Sequence, residues 1–365
     1  MINNHYYCII MAGGAGTRFW PISRTSCPKQ FLDIAGTGET FLKKTYERFA
    51  EFIPKENILV STTSRYRDLV MEQLPEIDSS NILVEPYARD TAPCITYATY
   101  TLLKRDPEAV MVVSPSDHLI REKEMFRKSI LDSLEYAKKH NVLMTLGIVP
   151  TRPDTNFGYI QVTGGKGACK SDRIIPVKTF TEKPDAELAK VFIETGEFFW
   201  NSGIFVWTAE TIKEELEKYL PEVTQLFNGW QCALGSTVED EFIEKAYTDC
   251  IKISIDYAVM EKTDKAWLYP AKFRWYDIGA WESLYDFYGH KDKEGNAFIA
   301  TKTLSDKDKG NLVISKDSHK LMAIKGLENF MVIDTDDVLL ICPKDDKQFK
   351  DFVSGIAMPG FEDYR

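Results

Sequence analysis

Short apolar runs rich in β-forming residues alternate with longer stretches of helical periodicity through the first part of the chain. Residues 6–11, 58–61, 82–84, 110–114 and 142–147 read as buried strands, because each run is apolar on both faces and only a few residues long. Between them, residues 40–52, 91–104 and 123–139 carry helical spacing, the last with mixed charges along an exposed face. Strands alternating with helices predict βαβ units and a mostly parallel sheet with helices on both sides. In such sheets ligands bind beyond the carboxyl ends of the strands, so the loops that follow strands are where chemistry is expected.

The pattern changes near residue 293. Residues 302–309 are polar, and 312–314, 320–324, 330–334 and 338–342 are short strand-like runs separated by charged turns. A helix is predicted only at 346–353. The chain therefore divides, as a sequence, into an α/β domain over 1–292 and a small β domain over 293–365, with no strong fixed-period repeat.

Composition narrows the partners. Apolar residues make up 44% and charged residues 27% of 365, a globular composition, and the formal net charge is −10. Such an acidic chain does not hold a polyanion by general attraction, so nucleic acid is not expected as a partner. A small phosphorylated substrate stays open, since a few placed cations dominate a local field. The seven cysteines are scattered without a CxxC pair, which points to reduced thiols rather than zinc or disulfides. With no signal-peptide pattern and no apolar run of about 20 residues, the chain reads as soluble and cytoplasmic, without a membrane partner.

The first strand runs into Ala12-Gly13-Gly14-Ala15-Gly16-Thr17-Arg18. Glycines so closely spaced let backbone N–H groups approach a phosphate. The spacing fits neither GxxxxGK[ST] nor GxGxxG, since Phe19 stands at the third glycine position of the latter, and a tight strand-to-helix turn is the plain alternative. Pro28-Lys29-Gln30-Phe31-Leu32 then supplies a second cation after Arg18. Phosphoryl transfer is catalysed chiefly by positioning and charge neutralisation, so the pair is chemically meaningful.

The whole string MAGGAGTRFWPISRTSCPKQFLDI closely resembles the opening of bacterial mannose-1-phosphate guanylyltransferases, and further matching segments follow in order to about residue 285. The resemblance implies a Rossmann-like nucleotidyltransferase domain with a small β-helix-like C-terminal domain that mediates a homodimer. It implies GTP and mannose 1-phosphate as substrates, GDP-mannose and pyrophosphate as products, and Mg²⁺ as cofactor. Ala12, Gly13, Gly14, Gly16, Thr17 and Arg18 would cradle the triphosphate. Glu85, Arg89, Asp90, Thr91 and Ala92 would meet the guanine and ribose, a carboxylate such as Glu85 accepting from the guanine N1 and N2 donors. Asp90 departs from the Asn usual in the family, and Thr91 also reads as a helix cap. Asp117, after an apolar strand in Ser114-Pro115-Ser116-Asp117-His118, and Asp277, in Trp275-Tyr276-Asp277-Ile278-Gly279, would be the metal ligands. Gly158, Tyr159, Glu182, Lys183 and Asn201 would form the sugar-phosphate side, Gly158 leaving room for the hexose and Lys183 holding its phosphate. Arg18, Lys29, Asp117 and Lys183 would be the catalytic set. The segment around Ser254-Ile255-Asp256-Tyr257 also matches and reads as mostly structural.

Alternatives remain at this level. Another sugar 1-phosphate, such as a manno-heptose phosphate, or another nucleotide would use the same chemistry. A catalytically silent, sugar-nucleotide-sensing subunit is a rival of a different class, although such proteins should lack a metal Asp or a phosphate-binding cation. Longer relatives carry a phosphomannose isomerase domain, and the roughly 70 residues after the transferase region are too few for one, so no isomerase activity is expected.

Overall fold

The structure, a computed structural model, describes residues 3–364 apart from 15, 172, 300, 301, 318 and 345–347. Its strands in chain order are β1 (Tyr6–Met11), β2 (Ile58–Thr63), β3 (Ile82–Glu85), β4 (Val110–Pro115), β5 (His118–Ile120), β6 (Leu143–Ile148), β7 (Tyr159–Val162), β8 (Ile175–Thr181) and β9 (Phe198–Thr208). There follow β10 (Ala266–Ala271), β11 (Trp275–Asp277), β12 (Ala297–Ile299), β13 (Lys302–Asp306), β14 (Leu312–Ser315), β15 (Leu321–Lys325), β16 (Phe330–Asp334) and β17 (Leu339–Pro343). By contacts the chain forms two compact units. The first is Met1–Gly13, Thr45–Ser116 and Ile120–Trp275, and the second is Gly14–Lys44, Asp117–Leu119 and Tyr276–Arg365.

The first unit is built on a sheet of order β3-β2-β1-β4-β9-β6-β10-β8-β7. The strands β3, β2, β1, β4, β6, β10 and β7 run one way, and β9 and β8 run against them. The mostly parallel α/β class is as the apolar runs indicated. One face sends Tyr7, Ile9, Leu59, Met111 and Val113 into a core shared with Ile95, Ala98, Ile212 and Leu216. These last come from the helices Thr91–Arg105 and Ala209–Tyr219. The alternate residues Cys8, Ile10, Val60 and Val112 are just as buried. Across the other face, the helix Lys123–His140 lies against β4, β9 and β10, and its Phe126 ring meets Phe49 at 5.5 Å. Both faces are covered, which is why these strands are continuous apolar runs rather than alternating ones.

In the second unit, β12, β14 and β16 pair in parallel and β17 closes that sheet antiparallel, while β13 and β15 form a separate parallel pair. Successive strands thus alternate between two sheets, the coil-on-coil layout of a β-helix. Its turns repeat as Gly295-Asn296, Gly310-Asn311 and Glu328-Asn329. Asn296 Oδ1 accepts from Asn311 N and Nδ2 at 3.0 Å each, and Asn311 Oδ1 accepts from Phe330 N at 2.8 Å. Each buried amide therefore caps the coil above it. Residues 302–309, expected as a polar stretch, include a strand at β13. Its side chains are mostly exposed and only its backbone pairing with β15 makes it a strand, so it left no apolar signal. The helix expected over 346–353 is Phe349–Ser354; residues 346 and 347 lie outside those described.

The same unit contains the chain that follows the glycine turn. Phe19, Ile22, Phe41 and Trp281 share a core with Leu312, Ile314, Met331 and Ile333. The Phe19 and Trp281 rings meet edge-on at 4.8 Å, and Trp281 Nε1 donates to Trp20 O at 3.2 Å. Burying aromatic rings this fully stabilises by roughly 1.5–3 kcal/mol each, and here it fixes the path of the segment carrying Arg18.

Candidate active site

Backbone bonds set the turn after β1. Ala12 N donates to Ser61 O at 2.7 Å, and Thr62 Oγ1 donates to Ala12 O at 3.0 Å. Gly16 has φ +60°, and a Cβ there would lie 2.6 Å from Lys29 N, so only glycine fits. Gln30 Nε2 donates to Gly14 O at 2.7 Å and Ser23 Oγ to Gly16 O at 2.7 Å. Nothing stands within 4 Å of a Cβ built on Gly14, so that glycine faces open space. Ala15 lies outside the described residues, and Thr17 opens a short 3-10 turn, Thr17–Phe19, that carries exposed Arg18.

The second unit brings Lys29, Asp117 and Asp277 together. The Lys29 side chain is 6% exposed. Its ammonium lies 2.8 Å from Asp117 Oδ2 and 3.9 Å from Asp277 Oδ1, and donates to Ile278 O. The rings of Phe19 and Phe41 flank it at 5.6 and 5.5 Å. Pairing of β5 with β11 is what sets Asp117 beside Asp277. Burial pushes the Asp117 carboxyl up, but the Lys29 charge, His118 and the Lys29 hydrogen bond outweigh it and hold the pKa at about 2. The Lys29 cation thus favours the ionised form of Asp117. A Cβ on Gly279 would lie 3.5 Å from Arg18 Nη1 and from both Asp277 oxygens, so Arg18 and Asp277 flank the same glycine.

No group of three or more metal-ligating His, Cys, Asp or Glu side chains forms among the described residues. Two partly exposed carboxylates nonetheless fit Mg²⁺, which takes one or two carboxylates and completes its shell with water and phosphate oxygens. Zinc or another metal that needs a closed protein cage does not fit.

In the first unit Glu85 is 5% exposed. It accepts from Ser61 Oγ at 2.9 Å and from Tyr247 OH at 3.1 Å. Its Oε1 would be 3.7 Å from a Cβ on Gly13. Burial pushes its pKa up to about 7; Ser61, Tyr247 and Cys94 pull it back and Asp90 adds to the rise. Three neighbours expected on the nucleotide have other partners. The Arg89 guanidinium donates to the carbonyls of Tyr247 and Thr248 at 3.1 Å each, at the end of the helix Glu239–Asp249. Ala92 is fully buried, and its N–H donates to Ile253 O at 3.1 Å. Thr91 is not the helix cap. Asp90 is, accepting from Thr91 N at 2.9 Å from a backbone with φ +68°, while Thr91 Oγ1 accepts from Ile255 N at 2.8 Å. The N–H groups of Thr91 and Ala92, at the start of that helix, are thus spent within the protein.

The sugar-side residues also converge within the first unit. A Cβ on Gly158 would fall 2.5 Å from Glu182 Oε2 and 3.5 Å from Asn201 Cβ. Gly158 therefore makes room for the Glu182 carboxylate rather than directly for a hexose. Tyr159 is wholly buried, and its hydroxyl accepts from Asp154 N at 3.1 Å, so it supports this loop from within. Lys183 has φ +44°, and its half-exposed ammonium lies 2.7 Å from Glu182 Oε1. Asn201 Nδ2 donates to Asp256 Oδ1 at 2.7 Å. Asp256, read from the sequence as structural, is thus in the cluster. Its only sequence signal was a match to a family segment, and its partner lies 55 residues away.

Arg18 is exposed and the Lys183 ammonium half-exposed, cations suited to neutralising and orienting phosphates rather than to taking protons. That is the requirement of nucleotidyl transfer, and the comparisons agree with it. The model of the nucleotidyl transferase family matches residues 7–294. A mannose-1-phosphate guanylyltransferase of Salmonella montevideo is 36% identical, over 91% of this chain and 70% of its own length. One from Escherichia coli strain K12 is 34% identical, over 100% of this chain and 76% of its own. A crystal structure from Thermus thermophilus, described as a mannose-1-phosphate geranyltransferase, is 29% identical with a TM-score of 0.84, covering 97% of this chain and 100% of that one. The chain belongs to the nucleotidyl transferase family, in its mannose-1-phosphate guanylyltransferase branch.

Proposed function

We propose that the protein transfers GMP from GTP to mannose 1-phosphate, forming GDP-mannose and releasing pyrophosphate. The observation that carries this beyond family membership is the Lys29–Asp117–Asp277 cluster with Arg18 beside it. A silent, sensing subunit has no need of a buried cation matched to two carboxylates. An isoprenoid donor, as the description of the Thermus protein would have it, needs an apolar trough; a Cβ on Gly13 would meet the Glu85 carboxyl as well as the Thr63 methyl, each at 3.7 Å.

In the reaction an oxygen of the mannose 1-phosphate attacks the α-phosphorus of GTP in line with the departing pyrophosphate. One P–O bond forms as the α–β bridging P–O bond breaks. The nucleophile is already an anion, so no general base is called for. Arg18, with Ala12, Gly13, Gly14, Gly16 and Thr17, neutralises and orients the triphosphate. Lys29 holds Asp117 and Asp277 in place. Those carboxylates would bind Mg²⁺, which supplies Lewis-acid neutralisation of phosphate oxygens when present. Lys183, released from Glu182, positions the attacking phosphate. Glu182 and Asn201 take the hexose hydroxyls, and Glu85 is the base-side acceptor.

Dimerisation through the C-terminal strands belongs to the same reading. Leu304, Leu321, Leu339 and Ile341 stand 52–62% exposed there, more apolar surface than a solvated strand needs. A cytoplasmic setting accords with seven cysteines that form no disulfide and with the absence, among the described residues, of a helix long and apolar enough to cross a membrane. The decisive experiment measures pyrophosphate release with Mg²⁺, pairing GTP, ATP, dTTP and UTP with mannose, glucose and manno-heptose 1-phosphates. Turnover confined to GTP with mannose 1-phosphate supports the reading; turnover with another pair, or with none in folded protein, overturns it.

A further inference from the structure

Asn201 sits where β9 breaks register against β6, between the pairs Thr145↔Phe205 and Gly147↔Asn201. Bulges of this kind aim a side chain away from the regular pleat. Here the bulge includes Gly203 at φ +67°, and the Asn201 amide is gripped at both ends: Oδ1 accepts from Gly203 N at 3.1 Å, and Nδ2 donates to Asp256 Oδ1 at 2.7 Å. Asn201 N in turn donates to Gly158 O at 2.8 Å, so the amide, the bare Gly158 and the Glu182 carboxylate share one small space.

Asp256 is itself held by its backbone. It opens a π-helical turn, Asp256–Met260, a geometry that occurs mostly at functional positions. The residues just before it are stitched to the nucleotide-side loop: Ile253 N donates to Arg89 O at 3.2 Å, and Ile255 N to Thr91 Oγ1 at 2.8 Å. A displacement of this segment would be felt by Asn201 on one side and by Arg89–Thr91 on the other.

We propose that Asp256 is a specificity-determining residue of the acceptor site, fixing which way the Asn201 amide points and presenting a second carboxylate beside Glu182 to the hydroxyls of a hexose 1-phosphate. This rests on the acceptor reading given above. A purely structural partner for Asn201 would serve as well with a neutral oxygen. Keeping a carboxyl there is costly: burial pushes its pKa up to about 6, Asn201 pulls it down, and Glu182 and Asp90 push it up further. Two carboxylates flanking a fixed amide distinguish hydroxyl configurations, because an epimer leaves one acceptor without its donor.

The test uses the full chain and the near-isosteric Asp256→Asn, with Asp256→Ala for comparison and circular dichroism to verify folding. We expect the KM for mannose 1-phosphate to rise about tenfold or more in Asp256→Asn, a charged hydrogen bond being lost. The KM for GTP should stay within about twofold, and the preference for mannose over glucose 1-phosphate should shrink. An unchanged sugar KM and preference, or equal changes in both KM values, overturns the proposal in favour of a structural role. Calorimetric binding of mannose and glucose 1-phosphates is run alongside. If the wild type binds them but turns nothing over, the functional reading fails and Asp256 is judged on binding alone; if the wild type binds neither, both fail.

Discussion

The ammonium of Lys29 lies 2.8 Å from Oδ2 of Asp117, with both side chains in the same compact unit although 88 residues separate them in the chain (117 − 29). The resemblance implies Lys29 as a member of the catalytic set and Asp117 as a metal ligand, two separate tasks. The geometry makes them one device, in which a buried cation holds two carboxylates close. The ammonium offsets the repulsion between the two like charges that it touches.

Lys29→Gln should therefore cost more than a lost phosphate contact. Without the ammonium, Asp117 and Asp277 repel, and turnover should drop at least about a hundredfold. Asp117→Asn should lose a similar factor in turnover and also lower the melting midpoint by several degrees, because the buried ammonium then lacks its nearer counter-ion. Pyrophosphate release and thermal melts read both. An active Asp117→Asn would dismiss the metal-ligand role.

The Glu85 carboxyl gives a pH prediction. Its pKa rises from an ordinary 4.5 to about 7 on folding, so the folded state holds the proton more tightly. The stability this contributes is complete below pH 4.5 and is lost as pH rises through 7. A shift of that size corresponds to about 3 kcal/mol by about pH 8. Glu85→Gln, which cannot ionise, should lose less stability than wild type between about pH 4.5 and 7 in urea titrations. Parallel curves for the two proteins would rule out the shift.

Asp90→Asn tests why an acid stands at a helix start beside nucleotide-side residues. Asn caps as well as Asp and tolerates positive φ, so stability should change by less than about 0.5 kcal/mol. Removing the charge should lower the KM for GTP a few-fold at low salt, with the gap closing at high salt. An unchanged KM at every salt concentration would show that the charge at 90 does not reach the nucleotide.

Gly158→Ala should act on the acceptor alone. Its Cβ would sit 2.5 Å from Glu182 Oε2, so the carboxylate must move. The KM for mannose 1-phosphate should rise by about tenfold or more, with the KM for GTP unaltered. Kinetics varying each substrate in turn separate the two. Loss of GTP affinity instead would mean that the Glu182 loop serves the nucleotide.

Some of this was legible because it is local. The apolar runs that became β1 to β4 and β6 announce themselves, since strands buried on both faces are built mostly of apolar residues. The close-set glycines at 13, 14 and 16 are equally readable, and at Gly16 the demand for bare backbone is steric, against Lys29 N. The family match followed from these same short strings.

Other features depend on partners far away in the chain. Whether β9 would enter between β4 and β6, reversed, and there acquire the bulge that aims Asn201, depends on backbone hydrogen bonds to strands 50 or more residues distant. The exposed strand β13 exists only because β15 lies beside it. Arg89, Thr91 and Ala92 sit in a nucleotide-like motif, yet the helix Glu239–Asp249 and residues 253–255 claim their donors and acceptors. The class of fold, the bare glycine turn and the kinds of charge present are legible along the chain, because these follow from local sterics and residue type. Only the tertiary structure decided which charges meet, since Lys29 against Asp117 and Asn201 against Asp256 are contacts of folding, whose strength depends on burial and distance rather than on order along the chain.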